Sequence, residues 1–459
     1  TGVPMKLINP ATGETIREVA NDSAQVIGEK FKNAKASQGA WAEKKMADRV
    51  QIIQKFHDLL KANVETLARD LSREVGKPVQ EARNEISGAC YRIRFFLENS
   101  SKWLVEQKLN HDGTTEEFLA HDPLGVIANI SAWNYPFLVG VNVFIPALIA
   151  GNAVVYKPSE YATITGLNIE KTLHEAGVPK NIFTAVVGAR EAGEAMLVLD
   201  FDGYFFTGSY QTGKHIAERV AHKLVPVGLE LGGKDPLYVT DDIADLKKVA
   251  AGVVEGCFYN NGQSCCAVER VYVHERKYDA FLKYFIEETK KLAHGDPSDE
   301  KFTQGAITRP VHVDFLVDQV KDAVSKGAVI ATGGNKGNSK GAFFEPTVLT
   351  NVNHTMRVMK EETFGPVIGI QKVKDDAEAI KLMQDCEYGL TASVYSSNIE
   401  RAKSILNAVD AGTSYVNCCD RVSPYLPWSG RKNSGLGSTL SFMGILAFTK
   451  PRAWHVRAP

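Results

Sequence analysis

Apolar positions recur at helical spacing through the first part of the chain and change, beyond Leu124, to short β-branched runs. From Met46 to Val75 the stripe Val50, Ile53, Phe56, Leu60, Val64, Leu67 and Leu71 predicts a helix that packs by one face, with Gly76-Lys77-Pro78 as its stop. After Leu124 the strand-like runs Ala153 to Tyr156 and Ile182 to Val187 bracket a helical stretch, Thr163 to Ala176. More such runs follow at Gly203 to Thr207, Pro236 to Val239, Arg270 to His274, Val367 to Ile370, Ala392 to Tyr395 and Thr413 to Asn417. Strands alternating with helices predict parallel sheets covered on both faces, the α/β class.

Two stretches break the alternation. Lys108 to Phe118 is polar, and His111-Asp112-Gly113-Thr114-Thr115 reads as a hairpin connection, so a protruding arm is expected. Gly333 to Gly341, rich in Gly, Asn and Lys, is expected to be an exposed loop.

At 459 residues the chain is longer than a single hydrophobic core usually grows, so at least two domains and a cleft between them are expected. A 44% hydrophobic and 23% charged composition is that of an ordinary globular protein. The 53 Lys plus Arg against 54 Asp plus Glu, with no basic block, argue against a nucleic-acid partner. The most apolar stretch, Val139 to Tyr156, is broken by Asn142, Pro146, Gly151 and Asn152 and reads as buried rather than membrane-spanning. Thr1 to Asn9 lacks the pattern of a secretory signal, so a cytoplasmic location is expected, with Met5 as the natural start. Seven cysteines without regular spacing suggest reduced thiols, and the adjacent pairs lack the spacing of zinc ligands, so no metal is expected.

Candidate chemistry centres on Tyr259-Asn260-Asn261-Gly262-Gln263-Ser264-Cys265-Cys266-Ala267, where small and polar residues surround two thiols after the apolar-periodic Ala244 to Phe258. Free cysteine is more often a small core residue than a nucleophile, so this segment needs its context. Glu230 ends the apolar run Val225 to Leu231 before Gly232-Gly233, and burial would raise its pKa toward that of a general base. Alternatively, Glu230 pairs with Lys234. Asn134, in Trp133-Asn134-Tyr135-Pro136, could donate to an oxyanion or cap a turn. Phe206-Thr207-Gly208-Ser209 opens a helix suited to a pyrophosphate, and Lys157-Pro158-Ser159-Glu160 could hold ribose hydroxyls, although both patterns also serve packing and surface charge.

Together and in this order, these segments resemble the aldehyde dehydrogenase superfamily, from Ile8-Asn9-Pro10-Ala11-Thr12-Gly13 to the C-terminus. The resemblance implies Cys265 as nucleophile, within Gly262-Gln263-Ser264-Cys265, and Glu230 as general base, within Glu230-Leu231-Gly232-Gly233-Lys234. It implies Asn134, with the backbone N–H of Cys265, as oxyanion donor. The cofactor positions it implies are Trp133, Lys157, Ser159, Glu160, Gly208, Ser209, Glu362 and Phe364, with Phe364 against the nicotinamide. Cys418-Cys419-Asp420-Arg421 and Ser429 depart from the residues common in relatives, near the implied substrate mouth.

The implied fold is a Rossmann-like dinucleotide-binding domain (1–104 and 124–232), an α/β catalytic domain (233–432), and a small β oligomerisation arm with a C-terminal segment (105–123 and 433–459). A homodimer or homotetramer is implied. NAD is the expected cofactor, because a Glu160 carboxylate repels a 2′-phosphate, and Lys157 and Ser159 leave NADP as the alternative. The substrate is expected to be a small aldehyde, with Tyr135, Phe137, Tyr259, Arg421 and Tyr425 as candidate tunnel residues; an arginine there would suit a semialdehyde. The rival readings are a coenzyme-A-acylating semialdehyde dehydrogenase, a catalytically silent binding protein of the same fold, and a redox-sensing module using the paired cysteines.

Overall fold

The computed structural model describes residues 4–337 and 340–459. Thr1 to Val3, and Asn338 and Ser339 within the expected exposed loop, lie outside what is described. The stripe from Met46 to Val75 forms two helices, Met46–Ala62 and Val64–Val75, rather than one. Apolar spacing runs through the joint, but Asn63 leaves the helical backbone (φ −109°, ψ 16°) and its side-chain amide donates to Leu59 O at 2.8 Å. Asparagine competes for local backbone partners in this way. Gly76 then ends the second helix in the left-handed region at φ 84°, as its stop signal predicts.

A six-stranded sheet runs in the order Gly435–Leu436, Val227–Glu230, Gly203–Thr207, Val126–Ile130, Ala153–Lys157, Phe183–Ala185. All but the first of these strands are parallel. The chain enters at Val126–Ile130, moves outward to Phe183–Ala185, then returns to build the other side from Gly203–Thr207. The winding reverses between Val126–Ile130 and Gly203–Thr207, and in doubly wound sheets that switch point opens a crevice at the carboxyl ends of the strands. The stretch from Val139 to Tyr156 supplies most of the helix Pro136–Ile149 and of the strand Ala153–Lys157, both deeply buried. Pro136 occupies the start of that helix, where its missing N–H costs nothing.

The second sheet is seven-stranded, in the order Val329–Thr332, Thr347–Thr350, Val367–Val373, Val268–His274, Asp235–Val239, Thr391–Tyr395, Thr413–Val416. Its first strand is antiparallel to its neighbour and the rest are parallel. Only Leu231 to Lys234 separates the end of Val227–Glu230 from the start of Asp235–Val239. The two sheets therefore meet at the carboxyl end of the strand that carries Glu230.

Gln107–Asp112, Thr115–Pro123 and Thr449–Arg457 form a three-stranded antiparallel sheet, the first two joined at Gly113-Thr114. The C-terminal segment divides between two sheets, Thr449–Arg457 pairing with the arm. Gly435–Leu436 pairs instead with Leu229 and Glu230 of the six-stranded sheet. Glycine permits that approach, since a Cβ on Gly435 would lie 2.4 Å from Leu229 O. Among the described residues no helix is long and apolar enough to cross a membrane.

Candidate active site

A cleft of about 740 Å³ opens where the two sheets meet. One wall carries Trp133, Asn134, Lys157, Ser159 and Glu160, from the loops after two adjacent strands. Gly208, Ser209 and Glu230 come from the neighbouring strand ends, and Cys265, Glu362 and Phe364 face them from the second sheet's side.

Cys265 is presented by a tightly held turn. After the helix Leu246–Phe258, residues Asn260, Asn261 and Gly262 all take positive φ, at 52°, 56° and 69°. Asparagine tolerates this backbone better than other residues with a side chain. Asn260 Nδ2 donates to Asn134 O and Gln263 O, each at 3.3 Å, while Asn261 Nδ2 donates to Gly305 O at 2.9 Å. Thr308 N donates to Gln263 Oε1 at 3.0 Å. The polar residues that make the segment unusual are thus a buried scaffold whose side-chain amides hold the turn to its surroundings. Among the described residues Cys265 is the cysteine that lines the cleft, and it is half-buried. Cys266 turns away, and its thiol donates to Asp420 Oδ1 at 3.1 Å. The adjoining Cys265 and burial hold the Cys266 thiol well above its usual range.

Glu230 does not pair with Lys234. The Lys234 ammonium is fully enclosed, 2.6 Å from Glu269 Oε2 and 3.0 Å from Thr363 Oγ1. Glu230 instead faces the cleft, and desolvation by its surroundings pushes its carboxyl up to about 7, opposed by the Thr439 hydroxyl and the charge of Arg92. A carboxyl in that range exchanges protons near neutrality. Asn134 is 5% exposed, and its carbonyl accepts from Lys77 Nζ at 2.7 Å and from Asn260. Its main chain is anchored by those bonds while the residue lines the cleft.

The donors along the rest of the cleft suit a dinucleotide. Lys157 is 4% exposed, its ammonium donates to Pro158 O at 3.3 Å, and among the described residues it has no ion-pair partner. Burial lowers its pKa, and a ligand hydroxyl or phosphate would relieve that cost. Ser159 donates to Glu160 Oε2 at 3.4 Å, setting a carboxylate beside the ammonium. Ser209 caps the helix Tyr210–Val220, whose N-terminus faces the cleft and favours an anion. Glu362 accepts from Gly233 N at 2.9 Å, and burial with the nearby Glu269 pushes its carboxyl up to about 8. A Cβ on Gly232 would lie 2.3 Å from that carboxyl, so a larger residue there would displace it. Phe364 has φ 47° and stands edge-on to Trp133 at 5.5 Å.

The five expected tunnel residues do not line this cleft. Tyr135 lies beneath Lys77, which sits 4.1 Å above its ring, and burial raises its hydroxyl pKa well above the usual range. Tyr259 Oη accepts from Asn84 Nδ2 at 3.2 Å. Arg421 is exposed, and its carbonyl accepts from the Tyr415 hydroxyl. Tyr425 is 59% exposed and packs edge-on against Phe95 at 5.0 Å. Phe137 is buried in the core. Sequence reasoning missed Arg92, Thr439, Lys77 and Glu85. A signal existed for two of them, since Glu85 and Arg92 interrupt the buried face of Val79–Leu104 at whole-turn spacing.

A model of the aldehyde dehydrogenase family matches residues 2–454. An aldehyde dehydrogenase of Emericella nidulans is 34% identical, covering 99% of this chain and 92% of that protein. A betaine aldehyde dehydrogenase of Brucella melitensis is 33% identical over 99% of this chain and 94% of its own length. Among solved structures, an NADP-dependent enzyme of E. coli superimposes with a TM-score of 0.96 at 31% identity, over 100% of this chain and 95% of that one. Betaine aldehyde dehydrogenase of Staphylococcus aureus in complex with NAD+ gives 0.95 at 29% identity, over 99% and 91%. By sequence over nearly its whole length and by fold, the chain belongs to the aldehyde dehydrogenase family and is an NAD(P)-dependent oxidoreductase acting on the aldehyde group.

Proposed function

We propose that the chain oxidises its aldehyde to a carboxylate through a covalent intermediate on Cys265. The observation that carries this reading is the convergence of a half-buried thiol, a carboxyl near neutrality and an anchored asparagine on one cleft with dinucleotide-type donors. The Cys265 thiol gives its proton to Glu230, directly or through water, and the thiolate adds to the carbonyl carbon. The oxyanion so formed is held by the Asn134 amide and the Cys265 N–H. A nicotinamide dinucleotide bound along Lys157, Glu160, Ser209 and Glu362 supplies the hydride acceptor. Loss of hydride from the former aldehyde carbon leaves a thioester on Cys265. Glu230 passes the thiol's proton to solvent and then takes a proton from water, hydroxide adds to the thioester carbon, and the C–S bond breaks to release the carboxylate and return Cys265 as the thiolate.

Glu160 favours NAD, with NADP admitted by Lys157 and Ser159. The substrate is a small aldehyde. Arg421 is exposed and lies outside the cleft, so it does not supply a partner for a distal carboxylate there. The edge strand Thr449–Arg457, with exposed Trp454 and Val456, is the proposed assembly strand of a homodimer or homotetramer. The free cysteines suit the reducing cytoplasm.

Absorbance of reduced nicotinamide with neutral, cationic and carboxylate-bearing aldehydes, in parallel with product analysis, tests the reading. Free acid is the expected product, and Cys265→Ser is expected to abolish turnover while retaining cofactor binding. Turnover surviving in that variant, or acyl-CoA formed in preference to acid when coenzyme A is supplied, would overturn it.

A further inference from the structure

Two residues that belong to none of the motifs act on Glu230, one through a hydrogen bond and the other through its charge. The first is Thr439, 209 positions later in the chain, whose hydroxyl donates to Glu230 Oε1. The C-terminal segment is tied to the strand bearing Glu230: Gly435 pairs with Glu230, and Leu231 N donates to Ser434 O at 2.9 Å. Thr439 itself is locked by reciprocal backbone hydrogen bonds with Trp428, at 2.8 and 2.9 Å, and is 7% exposed. Directly after it, Leu440 and Ser441 take positive φ at 60° and 54° with Leu440 wholly buried. A strained turn of this kind persists only where its surroundings over-determine it.

The second is Arg92, on the helix Val79–Leu104. Its guanidinium is buried, donates to Leu138 O at 3.2 Å and Asn142 Oδ1 at 3.1 Å, and has no ion-pair partner among the described residues. Its field falls on Glu230, Cys266, Glu85 and Cys265. The Glu362 carboxyl lies beside Gly232, and the Lys234–Glu269 pair is closed on itself.

We propose that Thr439 is a positioning residue for Glu230, its hydroxyl holding one carboxyl oxygen so that the other faces the proton to be taken. This rests on the reading of Glu230 as the general base. The base must act twice, on the thiol and then on water, and it must be charged each time it does so. A donated hydroxyl favours the charged form and opposes the desolvation that raises its pKa.

The test is the pH dependence of kcat for wild type, Thr439→Val and Thr439→Ser, with Glu230→Gln alongside. Removing a hydrogen bond to a charged group is expected to move the acid limb of Thr439→Val up by about one pH unit. Its rate should then fall about tenfold at pH 6 and converge on wild type at pH 9. Thr439→Ser keeps the donor and should keep the wild-type limb. A valine variant with an unmoved limb, whether its rate is normal or lowered equally at every pH, would overturn the proposal. Glu230→Gln separates the two readings. If that variant keeps the wild-type rate and profile, the base assignment fails, and if it is inactive while Thr439→Val is unmoved, only the role of Thr439 fails.

Discussion

Asn134 shows how one residue divides its work between backbone and side chain. Its carbonyl is bound by Lys77 and Asn260, which fixes the loop whatever the side chain does. Asn134→Ala is therefore expected to fold and to bind cofactor as wild type does, yet to lose about 100- to 1,000-fold in kcat, as removal of an oxyanion donor does elsewhere. Steady-state kinetics with a cofactor titration would check both halves of that expectation. Single residues were also where the sequence misled. Glu230 and Lys234 sit four apart and invite pairing, but they lie on opposite sides of the Gly232-Gly233 turn, and Lys234 finds Glu269, which is 35 positions on. Arg92 was not singled out, because the partners that make its burial tolerable, Leu138 and Asn142, come from another helix.

At the level of elements, the turn before Cys265 has little room for change. A Cβ on Gly262 would lie 2.4 Å from Gly365 O, and the residue already has φ 69°. Gly262→Ala is expected to cost about 1 to 3 kcal/mol of stability and to lower kcat further by displacing the thiol, measurable by thermal unfolding beside activity. Elements whose signals are local were legible: the stop at Gly76, the proline at the start of Pro136–Ile149, and the buried parallel strands. The break at Asn63 was not, because periodicity records which face is apolar and carries no mark where the axis bends. Nor was the pairing of Gly435–Leu436 with Leu229 and Glu230, since a two-residue strand has no period and its partner lies some two hundred positions earlier.

Across the whole molecule, buried acids accumulate around the cleft, and they make stability depend on pH in the less familiar direction. Burial raises Glu81 from 4.5 to about 8, so the folded state holds its proton more tightly than the unfolded chain does. Its contribution is complete below about 4.5 and is lost as pH climbs through about 8. Glu81→Gln keeps an acceptor for Asn260 N, which lies 3.1 Å away. The variant's Tm relative to wild type should rise between pH 5 and pH 9, by about 1 to 3 °C, as scanning calorimetry would show. Deleting Thr449 to Pro459 should leave Thr115–Pro123 without its partner and convert the assembly to smaller species in sedimentation, if the arm is what joins subunits.

The pairing of Gly435–Leu436 with the strand of Glu230 also bears on biosynthesis. The thiol, the asparagine and the dinucleotide donors all precede residue 435 and are made before it, whereas the hydroxyl proposed to steady the base follows at Thr439. A chain interrupted before residue 435 would carry the thiol and the cofactor groove with Glu230 lacking both its strand partner and its hydroxyl donor. On the proposed role of Thr439, such a fragment would turn over more slowly below neutrality than the full chain, so the last contact made to the base also sets the pH range in which a finished molecule works.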